Sequence, residues 1–447
     1  MAMTGVEIFK LLPKTNCKKC GFPTCLAFAM KLAQRQADIS ACPDVSEEAK
    51  ATLGEASAPP IRGMKIGTGE KAVKMGEENV MFRHEKRFVN PCVLALNVQD
   101  SLSDDELGGR AAEVAASEID RVGQRLRVDA LSIEFVSGDA ARYAAVVKLA
   151  ADKAPDTALI LNCTDAGAAK AAAEAVAARK PLLYGATAAN IDDMAALAKE
   201  HGLILGVRGE GLDEVVDLTA KAKAAGVNDL VMDGSPKTAR EIIEQNTQVR
   251  RSAIKKGDKA VGYPVITNCV REDTMVETAV AAVAVAKYSA IVLISHAEKW
   301  KNLALFTLRQ NLYTDPQVPM QVPQKVYEIA DPAGDAPLMI TTNFSLTYFI
   351  VAGEVENAKV PARLAVMDCE GLSVLTAWAA GKFTANKIAQ YINEGEGFDK
   401  VTNKELIIPG QVAILSGALE DKLPGWKITV GPREANGIPA FLKGRAA

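Results

Sequence analysis

Four cysteines lie within the first tenth of the chain, at spacings typical of a metal cluster. They follow the pattern C-x2-C-x4-C-x16-C and are Cys17, Cys20, Cys25 and Cys42. Gly21 and Pro23 supply the sharp turns that such a loop needs. Because the first three thiols lie on one short loop, their sulfurs can occupy three corners of a cube. The spacing therefore predicts a 4Fe–4S cluster with these four cysteines as ligands.

The segment after Cys25 predicts how the fourth thiol returns to the other three. Residues 26–39 repeat apolar side chains at helical spacing. A helix of that length spans about 20 Å and leads to Cys42, which Pro43 follows as in the cluster run of bacterial ferredoxins.

Zinc is the first alternative for these cysteines, and four unliganded core thiols are the second. Structural zinc sites usually pair two C-x2-C knuckles or add histidines, whereas here one knuckle is present and no histidine precedes His84. The remaining cysteines stand singly, so we expect them to be small core residues rather than a second metal site; they are Cys92, Cys163, Cys269 and Cys369.

The composition limits the classes of protein to which the chain can belong. The 447 residues are 49% hydrophobic, 24% charged and 5% aromatic, with a net charge of −3. This length predicts two or three domains, and the alanine-rich, aromatic-poor mixture favours α/β layers. Without a basic stripe we expect no nucleic-acid partner. The N-terminus lacks a signal-peptide layout and no apolar run is long enough to span a bilayer, so we expect no membrane partner and a cytoplasmic protein.

The middle of the chain alternates buried-strand and helix patterns. Eight strand candidates lie at residues 92–98, 130–136, 158–163, 181–186, 203–207, 229–233, 263–267 and 290–295. A helix-like segment follows each of them, which predicts a (β/α)8 TIM barrel, with an open doubly wound sheet as the competitor. The segment contains no G-x-G-x-x-G or P-loop motif.

Polar residues follow several of these strands, where a barrel enzyme places its site. They are Asn162, Asp165, Asp233, Asn268 and His296. No tight acid–base pair stands out among them, and we expect His296 to cap or hydrogen-bond rather than to catalyse.

The pattern changes again near residue 325, where a compact α/β domain is expected. Its strand candidates include 412–417, and its strand ends carry loops rich in Gly, Ser, Thr and Asn. Such loops suit a large planar cofactor with a polar edge. The predicted order is therefore a 1–58 cluster domain, a 59–90 linker leading into the barrel, a 91–324 barrel and a 325–447 Rossmann-like α/β domain.

The assembly resembles the large (gamma) subunit of the corrinoid iron–sulfur proteins of the acetyl-CoA (Wood–Ljungdahl) pathway. The resemblance covers essentially the whole chain and rests on "CKKCGFPTC" with Cys42 and on "DCEGLSVLTAWAAGKF". It implies a methyl carrier whose C-terminal domain binds a cobalamin-type corrinoid. Co(I) would accept a methyl group from methyltetrahydrofolate through a separate methyltransferase and pass it to acetyl-CoA synthase.

The resemblance also implies the remaining partners. A smaller subunit would complete a heterodimer, and a low-potential donor such as ferredoxin would supply electrons. The 4Fe–4S cluster would then reduce Co(II) back to Co(I). Cobalt without a nitrogen ligand on its lower face is easier to reduce, and none of the three histidines fits the D-x-H-x-x-G corrinoid motif or lies in the C-terminal domain. We therefore expect a base-off corrinoid.

The implied corrinoid contacts lie on three loops. Thr376 is the candidate for the residue that faces the lower side of cobalt without ligating it. The alternative is that Thr376 simply packs in a helix. Arg433 is a candidate partner for the phosphate or a side-chain amide of the cofactor. The contacts are Thr342, Asn343, Ser345, Leu346 and Thr347; Gly371, Leu372, Ser373 and Thr376; and Gly431, Pro432, Arg433, Glu434 and Ala435.

Two rival functions remain at this stage. In the first, the barrel is itself a pterin-dependent methyltransferase with an attached electron-transfer domain, and Asn162, Asp165, Asp233 and Asn268 bind the pterin. In the second, the chain is an assembly subunit whose cluster is only structural.

Overall fold

A computed structural model describes most of the chain. The described residues are 4–33, 37, 39–46, 48–50, 53, 59–69, 72–315 and 317–446. The chain forms two compact units, Met1–Glu118 with Leu126–Tyr313 and Ile119–Arg125 with Thr314–Ala447. The finer four-part division stays a prediction, and residues 54–58 at its first boundary lie outside the described residues.

The described part of the N-terminal segment includes two short helices, α1 (Gly5–Leu11) and α2 (Cys25–Ala33). Thr4 caps α1 through a capping box with Glu7, which satisfies two backbone N–H groups at the start of the helix. Ile8 of α1 and Phe28 of α2 belong to one small buried cluster. The helix predicted over 26–39 begins at Cys25; its residues 34–36 and 38 lie outside the described residues.

Eight parallel strands form the barrel of the first unit. An antiparallel pair precedes them, β1 (Met64–Ile66) and β2 (Val73–Met75). The barrel strands are β3 (Val93–Gln99), β6 (Ala130–Glu134), β7 (Ala158–Asn162), β8 (Leu182–Ala186), β9 (Ile204–Arg208), β10 (Leu230–Asp233), β11 (Ile266–Asn268) and β12 (Ile291–Ile294).

The strand order β10-β9-β8-β7-β6-β3-β12-β11 places each barrel strand beside the barrel strand that follows it in the chain. A two-stranded insertion within residues 119–126 separates β3 from β6 in sequence only. A parallel bridge between Met232 and Val265 joins β10 to the segment before β11 and closes the ring. The predicted TIM barrel is confirmed, and the open doubly wound sheet is wrong.

Helices follow the barrel strands on their way back to the next strand. Several begin at a side chain that accepts hydrogen bonds from the first turn, such as Ser103, Asp139 and Asp273. They are α3 (Asp104–Ala116), α4 (Ala140–Lys153), α5 (Ala166–Val176), α6 (Ile191–His201), α7 (Leu212–Ala224), α8 (Ala239–Arg251), α9 (Thr274–Ala286) and α10 (Lys299–Tyr313).

The second unit is a five-stranded α/β sheet with a two-stranded insertion from the barrel segment. The insertion is β4 (Ile119–Arg121) with β5 (Gln124–Leu126). The sheet is β13 (Lys325–Ile329), β14 (Leu338–Thr342), β15 (Ala362–Met367), β16 (Glu405–Ile408) and β17 (Lys427–Val430). Its helices are α11 (Ser345–Ala358), α12 (Val374–Ala379), α13 (Ala385–Glu394), α14 (Ser416–Lys422) and α15 (Ile438–Ala446).

The order of this sheet is β13-β15-β14-β16-β17, and all neighbours are parallel except the antiparallel edge strand β13. The strand predicted over 412–417 is wrong: residues Gly410–Leu415 form a 3-10 turn that runs into α14. Val412 is buried there while Ile414 is 76% exposed, so the apolar run does not fill a sheet position.

None of the described helices is both long enough and apolar enough to cross a membrane.

A buried ion pair stabilises the end of the barrel near β12. The side chains of Glu277 and Lys301 are paired and fully buried. Glu277 also accepts hydrogen bonds from the backbone N–H groups of Ser295 at 3.0 Å and Arg271 at 3.1 Å. One carboxylate therefore ties α9 and α10 to the loops after β11 and β12.

We predict that Glu277→Gln destabilises the barrel by ~3–5 kcal/mol, because it leaves the Lys301 ammonium buried without an opposite charge. Urea unfolding, monitored through the amide hydrogen exchange of Ile291–Ile294, measures the lost free energy of unfolding. Glu244→Gln is the matched control, since Glu244 pairs with Arg240 on an exposed helix face and its loss costs under ~1 kcal/mol. Equal effects of the two substitutions would contradict the prediction.

Candidate functional site

The structure places the four N-terminal cysteines in one small unit. Cys25 and Cys42 are buried in the same apolar cluster, and Cys20 packs against it. Cys17 is exposed, and its thiol donates to Asp44 Oδ2 at 3.6 Å, two residues beyond Cys42. The x16 interval between Cys25 and Cys42 therefore brings the chain back to the loop that carries Cys17.

The loop that carries the first thiols has an unusual backbone. Lys14, Asn16 and Lys18 all have positive φ, at 59°, 51° and 62°. Left-handed residues let the backbone turn sharply, and turned backbone of this kind is found around iron–sulfur clusters. Gly21, at φ 83°, completes the turn, and its N–H donates to the Lys18 carbonyl at 2.9 Å.

Asn16 connects this loop to the helix that carries the third thiol. Its backbone N–H donates to Cys25 Sγ at 3.4 Å, and its side-chain Oδ1 accepts from the Cys25 N–H at 2.8 Å. Hydrogen bonds to cysteine sulfur tune the potential of an iron–sulfur cluster. Sequence reasoning missed Asn16; its position directly before Cys17 was the available signal.

The donor set fits an iron–sulfur cluster. Cys25 and Cys42 share one buried cluster with Phe28, Cys20 and Phe22 pack against it, and Cys25 accepts one N–H···S bond. The rings of Phe22 and Phe28 have centroids 5.4 Å apart. Among the described residues, no group of three or more His, Cys, Asp or Glu side chains is arranged to hold a single metal ion.

The other cysteines are buried as thiols. Burial raises the pKa of Cys163, Cys269 and Cys369 to about 12 in each case, and it also raises the pKa of Cys92. A protonated thiol is a poor metal ligand.

The second unit contains a cavity of about 330 Å³ at the carboxyl edge of its sheet. The three loops expected to contact a corrinoid all contribute to the lining. Thr347 comes from the first loop and Ser373 from the second, while the third supplies residues 431–435, that is Gly431, Pro432, Arg433, Glu434 and Ala435.

A buried carboxamide fixes the first two loops to each other. Asn343 Oδ1 accepts from the backbone N–H groups of Cys369 at 2.9 Å and Gly371 at 3.0 Å. Its Nδ2 donates to Asp368 Oδ1 at 2.9 Å. Asn343 is therefore a support of the cavity rather than part of its lining.

The remaining predicted contacts lie around this support. Thr342 and Ser345 are buried, Gly371 adopts φ 72°, and Leu372 packs on the core. The hydroxyl oxygens of Thr341, which lines the cavity, and of Thr342 are buried with no hydrogen-bond partner in the described part of the chain. Unpartnered buried hydroxyls at a cavity fit a ligand with amide groups.

Apolar side chains stand exposed around the same cavity. Leu346, Ile350 and Leu375 are 58%, 49% and 46% exposed, and Trp378 is 41% exposed. Thr376 is also exposed, and its Oγ1 lies 3.0 Å from Ser373 Oγ. Exposed apolar clusters of this kind mark ligand or partner surfaces, and a broad macrocycle fits this one.

The strand-end residues of the barrel have divergent roles. Arg208 lies between Asn162 and Asp233, with Nη2 at 3.0 Å from Asn162 Oδ1 and Nε at 3.3 Å from Asp233 Oδ2. Asp165 instead caps α5, accepting from the Ala168 N–H at 2.7 Å.

His296 pairs with Arg110 rather than with another catalytic candidate, as expected for a hydrogen-bonding residue. Asn268 Oδ1 accepts from the Val270 N–H at 3.0 Å, so it closes its own turn.

Two family models match the chain. A family model named for an Fe-S cluster matches residues 12–43, and the model for the CO dehydrogenase/acetyl-CoA synthase delta subunit matches residues 63–442. The dihydropteroate synthase structure from Vibrio fischeri covers 57% of this chain and 100% of its own, at 12% identity and TM-score 0.41, a likeness that carries no argument.

Full-length relatives carry names from one pathway. The corrinoid/iron-sulfur protein large subunit of Moorella thermoacetica is 45% identical over 100% of both chains. Gamma subunits of the acetyl-CoA decarbonylase/synthase complex are 34% identical in Methanopyrus kandleri (99% of this chain, 97% of the relative) and 35% identical in Archaeoglobus fulgidus (98% and 97%). The chain belongs to the family of corrinoid/iron-sulfur protein large subunits and acetyl-CoA decarbonylase/synthase gamma subunits.

Proposed function

We propose that this chain is the cytoplasmic methyl carrier of the acetyl-CoA pathway. Its bound corrinoid would accept a methyl group at Co(I) from methyltetrahydrofolate, presented by a separate methyltransferase, and deliver it to acetyl-CoA synthase. The observation that carries the proposal is the convergence of three polar loops and an exposed apolar rim on one cavity of the second unit. The names of the full-length relatives support it.

The cavity residues would divide the work of holding the cofactor. Asn343 holds the loop at Cys369–Gly371 in place, so the cofactor meets a preformed surface. The unpartnered Thr341 hydroxyl, which lines the cavity, would accept from or donate to a side-chain amide of the corrin, with the buried Thr342 behind it. Arg433, at the edge of the cavity, is placed for an anionic group such as the nucleotide-loop phosphate.

Thr376 is the proposed neighbour of the lower face. Its hydroxyl is held 3.0 Å from that of Ser373 on the exposed side of α12. A hydroxyl is a weak donor to a metal, and the three histidines of the chain all lie outside residues 314–447. This segment therefore offers no imidazole to the cobalt, which supports a base-off corrinoid.

The N-terminal unit would hold a 4Fe–4S cluster on Cys17, Cys20, Cys25 and Cys42 and reactivate Co(II). The N–H···S bond from Asn16 and the turned backbone around Lys14–Lys18 are the features that favour a cluster. A low-potential electron donor such as ferredoxin would reduce it. The smaller corrinoid protein subunit would complete the heterodimer.

The rival barrel methyltransferase has less support. The acceptor atoms of Asn162 and Asp233 that a pterin would need are already hydrogen-bonded to Arg208. Asp165, the third candidate, is engaged in capping α5.

We predict that Cys20→Ala abolishes reactivation from Co(II) but preserves methyl transfer from chemically pre-reduced Co(I), because only the electron path is cut. Iron content and low-temperature electron paramagnetic resonance confirm the loss of the cluster. Cys163→Ala, in the barrel core, is the matched control and should keep both activities. Normal reactivation of Cys20→Ala by a low-potential donor would show that the cluster has another role, such as a structural one.

We predict that Thr376→His brings an imidazole to the cobalt, which changes the visible spectrum from base-off to ligand-on and makes reduction to Co(I) harder. Thr376→Val is the control and should leave the spectrum base-off, since Thr376 is not a ligand. An unchanged spectrum in a folded Thr376→His variant that retains its corrinoid would place Thr376 away from the lower face.

A further inference from the structure

The mouth of the barrel contains a second cavity, which the proposed methyl carrier does not use. It has a volume of about 500 Å³, within the usual range of small-molecule sites. Its walls come from the carboxyl ends of β8 to β11 and the loops after them. This is the face at which barrel proteins bind their ligands.

The hydrogen-bond acceptors on the floor of this cavity are already in use. Asp233 Oδ2 accepts from Tyr184 Oη at 2.5 Å and from Arg208 Nε at 3.3 Å. Asp233 Oδ1 accepts from the backbone N–H of Ser235 at 2.8 Å, and Asn162 Oδ1 accepts from Arg208 Nη2 at 3.0 Å. A ligand that presents N–H groups therefore finds few acceptors free.

Donors, in contrast, remain available. In the described part of the chain, Arg208 Nη1, Arg271 Nε and Asn268 Nδ2 have no hydrogen-bond partner. The Arg271 guanidinium contacts only backbone carbonyls, at 2.7 Å from Val270 and 2.9 Å from Lys237. Those carbonyls hold the guanidinium in place without neutralising it.

The third cation at the mouth is only loosely paired. Lys237 Nζ lies 3.5 Å from Glu210 Oε1, and the two side chains are 68% and 77% exposed. Exposed pairs of this kind contribute little free energy and rearrange easily. Lys237 can therefore turn toward a ligand at small cost.

We infer that the barrel mouth binds a small anion, one whose carboxylate or phosphate oxygens accept hydrogen bonds from Arg208, Lys237 and Arg271. The unused groups on the floor of the cavity are donors, and the exposed Glu210 carboxylate is an acceptor at its edge, so a ligand that reaches the floor must bring acceptors. Arg208 is rigid, since its ring contact with Tyr184 at 4.3 Å and its bonds to Asp233 and Asn162 hold it from three sides. The same arrangement leaves few free acceptors for the donor edge of a pterin, and it is independent of the corrinoid site.

Calorimetric titration of the full-length protein tests this inference. Inorganic phosphate and malonate are titrated separately, at an ionic strength held constant with chloride. We expect at least one of them to bind at least tenfold more tightly than chloride. The stronger of the two identifies the ligand as a phosphate or a carboxylate compound.

Two variants locate the site. Lys237→Gln removes an exposed charge, and Arg271→Lys keeps the charge but loses the planar fork, so each should weaken the preferred anion about tenfold. Lys221→Gln, in the last turn of α7, removes the same charge elsewhere on the barrel and should leave the affinity unchanged.

Three results would overturn the inference. If neither anion binds more tightly than chloride, the barrel mouth is not an anion site. If Lys221→Gln weakens binding as much as the other two substitutions, the binding reflects general surface charge rather than this cavity. Binding of 6-hydroxymethylpterin without binding of either anion would show that the cavity recognises a donor edge instead.

Discussion

The side-chain amide of Asn343 is the interaction on which the candidate corrinoid site depends. It sits just beyond β14, at the carboxyl edge of the sheet, and receives two backbone N–H groups from the loop beyond β15. Those N–H groups are buried and would otherwise lack partners. Gly371 fits against Pro319 and Gln321 because it has no side chain: a Cβ there would lie 2.8 Å from Pro319 Cβ and 2.9 Å from Gln321 Cγ. The loop that leads to Ser373 and into α12, which carries Thr376, is thus positioned by one carboxamide and one glycine.

The barrel was predictable because parallel strands buried on both faces are continuous apolar runs. All eight candidates became strands within a few residues of their predicted bounds. The edge strand β13 escaped prediction because only one of its residues, Ile329, is buried. The strand predicted over 412–417 was wrong because its apolar residues include Ile414, which is exposed and does not belong to the core.

The candidate sites were only partly predictable, for a similar reason. Cysteine spacing and polar strand ends are local signals. The structure places the cysteines in one small N-terminal segment, whereas among the strand-end residues only Asn162 and Asp233 share a partner, Arg208. Asn16 is identified by its hydrogen bonds to Cys25 and Thr341 by its lack of a hydrogen-bond partner in the described part of the chain. Both observations depend on which residues are neighbours in three dimensions. Arg208 is the clearest case, because nothing in its sequence surroundings shows that it occupies the acceptors of Asn162 and Asp233, residues distant in the chain.

The most direct test of the methyl-carrier proposal is the cobalt and iron content of the protein after anaerobic purification with the subunit that binds it. The proposal predicts about four irons per cobalt, together with the visible spectrum of a base-off corrinoid. Iron without cobalt would contradict the assignment of the cavity around Asn343, and zinc alone would contradict both cofactor assignments.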